Sequence, residues 1–276
     1  MSTATTHTVQ SADGTRIAYT LHDNPGPPIL LIMGLSQPGG MWELVRERLL
    51  AHDLCLVIPD NRGVGHSEAP DKPWSMRHMA QDMAAVLQDV GRGPALVCGV
   101  SMGGMVAQRT ALDHPDLVSG LVLCNTTCGL PHGKFHSAEA LKLLVGMALF
   151  PSKATPEMAL KLLAHPDSAP HMQAFTARAA AVRARAPVSP KGVLFQMLAS
   201  VTHNTGARLH QLQVPTLVLA ADADFLMPNV NSEILARRIP GAQLRTIPRT
   251  GHILPHERPD ALEQAILDVL TQVQTA

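Results

Sequence analysis

Aromatic residues are scarce: five Phe, two Trp and one Tyr make up 3% of the chain. Little material is therefore available for base-stacking platforms, and any pocket is expected to be lined by aliphatic and methionine side chains. Net charge is absent as well. Twenty-two Lys and Arg balance 22 Asp and Glu, which removes the attraction that dominates binding to nucleic acid or anionic membrane. No nucleic-acid or membrane partner is expected. No apolar run approaches the roughly 18–20 residues needed to span a bilayer, and MSTATTHTVQSADG at the start shows neither a charged n-region nor an apolar h-region. The expected location is the cytoplasm. The four cysteines, Cys55, Cys98, Cys124 and Cys128, lack metal-ligand spacing, and three stand in apolar runs, so they read as reduced core thiols. Gly and Pro together number 42 of 276 residues, far below low-complexity levels.

The chain somewhat exceeds the roughly 200–250 residues that α/β folds reach as one unit, so one domain with an insertion is expected. Pro28 to Gly34, Leu54 to Pro59, Ala95 to Gly99 and Val118 to Leu123 read as strands, and Trp42 to Leu50, Met76 to Val90 and Gly103 to Asp113 as helices between them. This alternation implies parallel strands with crossovers, covered on both faces. Thr8 to Asp13 and Arg16 to His22 alternate apolar and polar residues around Asp13-Gly14, predicting an edge hairpin.

Strand signals stop from about Thr126 to Leu212. There Ser137 with Glu139, Thr155-Pro156-Glu157 and Ser189-Pro190 each set a capping side chain before a helical first turn. Residues 126–212 are therefore expected to form a helical cap inserted into a core built from 1–125 and 213–276. The sheet pattern resumes with Val214 to Leu219, a helix at Asn231 to Arg238, a strand at Gln243 to Ile247, and a final helix from Pro259. In that helix Leu262, Ile266, Val269, Leu270 and Val273 form one apolar stripe.

The richest segment is Gly99-Val100-Ser101-Met102-Gly103, a G-x-S-x-G between an apolar run and a helix. Glycines two before and two after the serine remove side chains that would collide in a sharp strand-to-helix turn, and the turn lifts the hydroxyl above a helix N-terminus. A serine hydroxyl needs a base, and the base an orienting acid. His252 follows Gly251 after a strand, and Asp224 follows the strand at Val214 to Leu219, with Pro228 four positions on. His256 and Asp222 are the competing base and acid; His256 lies beyond Pro255 against a helix start, and the spacing to Pro228 favours Asp224. Residue 125, the other place for an acid, is Asn125, which carries no charge. An oxyanion needs two backbone N–H donors, for which Met102 and Leu35, after Gly34, are the candidates.

On these residues the chain resembles the α/β-hydrolase superfamily over nearly its whole length. The matches are Met33-Gly34-Leu35 followed by Trp42, Asp60-Asn61-Arg62-Gly63-Val64-Gly65-His66-Ser67, the Ser101 segment, Asp224 with Pro228, and Gly251-His252. The resemblance implies a mostly parallel eight-stranded sheet flanked by helices, with a helical cap, and Ser101, Asp224 and His252 as a catalytic triad. It assigns no catalytic role to Asp60 or Arg62, and implies neither metal nor organic cofactor. Many members carry His-Gly where this chain has Met33-Gly34; in this respect it resembles the branch containing aclacinomycin methylesterase.

The expected activity is hydrolysis of a small-molecule carboxylic ester, including bulky, methyl, lactone or macrocyclic esters, through an acyl-enzyme on Ser101. Perhydrolysis of the haloperoxidase-like kind, thioester cleavage or C–C cleavage could use the same residues. A hydrolase-like small-molecule receptor is the non-enzymatic alternative. Two cap features bear on substrate. Ser168 to Ala221 contains no acid but five cations, Arg178, Arg183, Arg185, Lys191 and Arg208, which read either as a solvated face or as a contact for a polar substrate. Met33, Met102 and Met227, with Met147, Met158, Met172 and Met197 in the cap, read mainly as core filling and otherwise as an adaptable lining.

Overall fold

Strand β5, Ala95–Val100, is buried at every position, as a strand covered by helices on both faces must be. A computed structural model of the chain describes residues 4–134, 136–149 and 155–275. It surrounds β5 with β1 (Thr5–Gln10), β2 (Arg16–His22), β3 (Pro28–Ile32), β4 (Cys55–Pro59), β6 (Val118–Cys124), β7 (Thr216–Ala221) and β8 (Gln243–Ile247). These form one eight-stranded sheet in the order β1-β2-β4-β3-β5-β6-β7-β8. Only β2 runs against its neighbours, pairing antiparallel with β1 and β4. The expected mostly parallel eight-stranded sheet is present, including the edge hairpin, whose turn carries Gly14 at φ 83°.

Period-two alternation divides the core between the two faces. Leu30, Ile32 and Val97 pack with Met79 and Met83 of α2 (Met76–Val90) and Val106 of α3 (Met102–Asp113). Ile29, Leu31 and Leu96 face the other way, toward Trp42, Val45 of α1 (Glu43–Leu50), and Leu262, Ile266 and Val269 of the last helix. Parallel register then aligns the strand ends: Ile32 pairs with Gly99, Val100 with Cys124, and Cys124 with Leu219. The loops carrying Gly34, Ser101, Asn125 and Asp224 thus open at one edge, where ligands bind in open α/β sheets.

Between Cys124 and Thr216 the described residues form no strand of the sheet. They form helices α4 (Ala138–Leu149), α5 (Pro156–Leu163), α6 (Ala169–Arg185) and α7 (Pro190–Val201). The side chains of Ser137, Thr155 and Ser189 accept from the N–H groups of Ala140, Met158 and Gly192, at 3.0, 3.2 and 3.2 Å. Helix α6 follows Ser168, whose side chain makes no cap although Pro170 stands in the first turn. Its register comes from Met172, Phe175, Ala179 and Val182, which are buried in the second of the two core faces. The side chain of Met147 lies outside the described residues. Met33, Met102, Met172 and Met227 are buried in the two core clusters, so these four act as packing.

Three of the five cations between Ser168 and Ala221 pair with acids elsewhere in the chain. Arg178 pairs with Glu43 at 2.6 Å, Lys191 with Asp71 at 2.5 Å, and Arg208 with Asp113 at 2.8 Å. All three acids belong to the sheet-bearing part, so this acid-free helical stretch meets acids supplied from outside it. After β7 the chain forms α8 (Val230–Arg238), β8, the short α9 (Leu254–Glu257), absent from the sequence expectation, and α10 (Pro259–Thr275). All four cysteines are buried and free.

The Asp60-to-Ser67 turn is held by a buried ion pair. Arg62 donates from Nε and Nη2 to the two oxygens of Asp82 at 2.7 and 2.6 Å, and from Nη1 to Asp13 at 2.9 Å. Arg62 and Asp82 are 1% and 0% exposed. Removing Asp82 leaves the buried Arg62 with only the partly exposed Asp13 as counter-charge, which offsets its desolvation poorly. Asp82→Asn is expected to cost about 3–5 kcal/mol, read as a lower urea midpoint. A second prediction concerns pH. Burial, reinforced by the charge of Arg109, pushes His203 down to about 3, and burial with the charge of Arg178 pushes His256 down to about 4. The unfolded chain binds protons near the ordinary value of 6.5, which these folded sites refuse. Stability is therefore complete above about pH 6.5 and falls as pH drops toward 4. Urea titrations from pH 8 to 4.5 should show that decline, flattened in His203→Gln and in His256→Gln.

Candidate active site

Ser101 joins β5 to α3 with φ 55° and ψ −120°, a backbone state rare for a residue bearing a Cβ. The flanking glycines make it attainable. A Cβ on Gly99 would stand 2.3 Å from the carbonyl oxygen of Gly103, and a Cβ on Gly103 would stand 2.1 Å from that of Ile32. Only glycine lets the helix start this close to β3 and β5. The serine backbone is also tied down: its N–H donates to Cys124 O at 2.9 Å, and its carbonyl accepts from the Thr126 hydroxyl at 2.7 Å.

The side chain of Ser101 meets His252, with Oγ 3.0 Å from Nε2. The opposite ring nitrogen, Nδ1, lies 2.8 Å from Asp224 Oδ2. A carboxylate oxygen accepts, so the proton resides on Nδ1, and Nε2 of the neutral ring is left as the acceptor for the Ser101 hydroxyl. The other carboxylate oxygen of Asp224 accepts from Met227 N–H at 2.7 Å, which fixes the carboxylate plane. Asp224 and His252 are both buried. A serine aligned with a base that is itself oriented by an acid can serve as an activated nucleophile.

The competing residues have other positions. His256 packs edge-on against Phe175 with centroids 4.9 Å apart, and its Nδ1 has no hydrogen-bond partner among the described residues. Asp222 accepts from Thr250 N–H at 3.1 Å in an exposed turn. Near the serine, a Cβ on Gly34 would lie 3.3 Å from Ser101 Cβ. Among the described residues neither Leu35 N–H nor Met102 N–H donates to a protein acceptor. No group of three or more His, Cys, Asp or Glu among the described residues is placed to hold a metal, and no described helix is long and apolar enough to cross a membrane. A cleft of about 330 Å³ beside Thr20, Glu43, Arg46 and Arg185 contains none of the Ser101, Asp224 and His252 side chains.

Two residues have roles that charge and spacing did not reveal. Asn125, considered in the sequence only as a place for an acid, is a clamp: its Oδ1 accepts from Ala221 N–H at 3.0 Å, and its Nδ2 donates to the carbonyls of Gly251 and His252 at 3.3 and 3.1 Å. It stitches the His252 loop to β7. Glu257, also buried, accepts from Gly251 N–H at 2.7 Å and from His165 N–H at 3.0 Å, tying the same loop to the end of α5. No periodic or motif signal marks either contact. Glu257→Ala leaves the buried Gly251 N–H unpaired and is expected to lower stability by about 1–3 kcal/mol, with part restored in Glu257→Gln, as measured by chemical denaturation.

A family model described as the alpha/beta hydrolase fold matches residues 27–259. A poly(3-hydroxyalkanoate) depolymerase of Ectopseudomonas oleovorans is 32% identical over 262 residues, covering 89% of this chain and 84% of that one. Among solved structures, a thermophilic esterase from Thermogutta terrifontis superposes with a TM-score of 0.81 at 26% identity, over 98% of this chain and 99% of that one. Est816, described as an N-acyl homoserine lactone degrading enzyme, superposes with a TM-score of 0.79 at 26% identity, over 95% and 99% of the two chains. With the family match running from before β3 to the first residue of α10, the chain belongs to the alpha/beta hydrolase family.

Proposed function

We propose that this hydrolase cleaves carboxylic esters of small molecules through an acyl-enzyme on Ser101. The observation that carries the reading is the unbroken line from Ser101 Oγ through His252 to Asp224, at 3.0 and 2.8 Å. His252 Nε2 takes the hydroxyl proton as Ser101 Oγ bonds to the ester carbonyl carbon. Leu35 and Met102 N–H groups hold the resulting oxyanion, and Asp224 stabilises the charged imidazole. Collapse breaks the bond to the alcohol, which leaves with the proton from His252. Water then enters, gives a proton to His252, adds to the acyl carbon and releases the acid, returning the proton to Ser101.

The ester reading is supported by the relatives' names, since a depolymerase of a polyester, an esterase and a lactone-degrading enzyme all act at an acyl carbonyl. Residues 126–212 act in this reading as the cap that selects the acyl and alcohol groups. Arg178, Lys191 and Arg208 are engaged with acids of the sheet-bearing part and are not available to a substrate, which leaves Arg183 and Arg185 as the cations of this stretch that a polar group could meet. The reading remains open to lactones and to bulky or macrocyclic esters, and does not single out the methylesterase branch.

A fluorophosphonate probe should label the wild-type protein and fail to label Ser101→Ala. On a panel of p-nitrophenyl esters, methyl esters, lactones and macrocyclic esters, Ser101→Ala should lose kcat by roughly ten-thousand-fold or more. A folded wild-type protein that neither reacts with the probe nor turns over any of the panel would overturn the proposal.

A further inference from the structure

Helix α7 buries one face through Gly192, Gln196 and Ala199, spaced i, i+4 and i+7 as a helical stripe requires. Gln196 is the polar member of that stripe and is 0% exposed. Its amide is used at both ends. Oε1 accepts from Ser36 N–H at 2.9 Å, and Nε2 donates to Arg62 O at 3.0 Å. The orientation of the amide follows from its partners, because a backbone N–H can only meet the oxygen and a carbonyl only the NH2 group.

Ser36 follows Leu35 in the loop after β3 and has φ 59°, a left-handed state uncommon for a residue with a Cβ. Three consecutive points of that loop are fixed. Asn61 Nδ2 donates to Met33 O at 2.9 Å, Gln37 N–H donates to Gly34 O at 3.3 Å, and Gln196 takes the Ser36 N–H. The Gly34 carbonyl and the Leu35 N–H belong to one planar trans peptide and point in opposite directions. Holding Gly34 O with Gln37 on one side thus leaves Leu35 N–H directed to the other.

Helix α7 is itself firmly seated. A Cβ on Gly192 would lie 2.3 Å from Gly63 O, Gly65 N–H donates to Pro187 O at 2.9 Å, and Phe195 packs edge-on against Trp74 at 5.3 Å. The turn that receives α7 is the one whose Arg62 is locked by Asp82. Gln196 therefore reaches the oxyanion loop from a rigid base, and it belongs to the segment between β6 and β7, whereas the loop belongs to the sheet.

We infer that Gln196 is a positioning residue that fixes the Leu35–Ser36 peptide and so sets the aim of the Leu35 N–H at the developing oxyanion. The inference rests on the serine-hydrolase reading above. The cap then contributes to acyl transfer itself as well as to selecting the substrate. A donor displaced by about 1 Å forfeits on the order of 100-fold in rate, while ground-state binding of the acyl and alcohol groups is little affected.

Two variants separate this role from simple packing. Gln196→Met keeps the length and volume but removes both hydrogen bonds. Gln196→Asn keeps an amide in the buried site but is one methylene too short to bridge. Each is purified as the full chain, its thermal midpoint recorded, and kcat and KM measured on the best p-nitrophenyl ester found for the wild type. Inhibition by an alkyl boronic acid, which forms a tetrahedral adduct on serine, is measured alongside.

The expected result is a 10- to 100-fold lower kcat with KM within about twofold, a boronic-acid Ki that rises in step with the loss of kcat, and a smaller loss in Gln196→Asn. If folded Gln196→Met, or Gln196→Asn where Gln196→Met does not fold, keeps kcat and Ki within about twofold of wild type while only the thermal midpoint falls, Gln196 is a packing residue and the inference is overturned. Failure of the wild-type protein to turn over any ester or to react with the fluorophosphonate probe would instead overturn the underlying function. The two failures are therefore distinguishable.

Discussion

The structure depends on one strained residue held in place from several sides. Ser101 at φ 55° and ψ −120° occupies backbone space that costs on the order of 1–3 kcal/mol and persists only where the surroundings over-determine it. Here the surroundings are the register of β3, β5 and β6, the bare Cα atoms of Gly99 and Gly103, and hydrogen bonds to Cys124 and from Thr126. The strain turns the hydroxyl out of the sheet. Every other part of the site is arranged around that point, because β7 and the loop after β8 place Asp224 and His252 at the same edge.

Neutral side chains and one lone carboxylate hold those loops. Asn125 sews the His252 loop to β7, Glu257 joins it to the end of α5, and Asn61 holds Met33 before the Leu35 loop. Inside a low-dielectric core each such group is costly when unpaired and strongly ordering when paired. Net neutrality has a related meaning. Cations of the helical segment between β6 and β7 meet acids of the sheet-bearing part, so that three ion pairs join the two.

Much of the fold was legible from local pattern. Continuous apolar runs marked β3 to β7, turn residues marked the edge hairpin, and side-chain caps marked the starts of α4, α5 and α7, each because the physical cause acts within a few residues. Helix α6 was not legible. Ser168 makes no cap, and the helix is registered by Met172 and Phe175 against distant core residues. Asn125 was legible as a position but not as a role, since its partners stand at 221, 251 and 252. Glu257 and its His165 partner are 92 residues apart.

By itself the sequence determined the alternating strands and helices, the glycine-flanked serine turn, and a short set of bases and acids, because backbone propensity, side-chain size and chemical type are properties of neighbouring residues. Local pattern already favoured His252 over His256 and Asp224 over Asp222, but only the tertiary structure decided that they meet Ser101 and each other, and that Gln196 reaches the Leu35–Ser36 peptide. Those choices turn on distances of about 3 Å between residues 28 to 160 positions apart, and such distances are set by sheet register and helix packing.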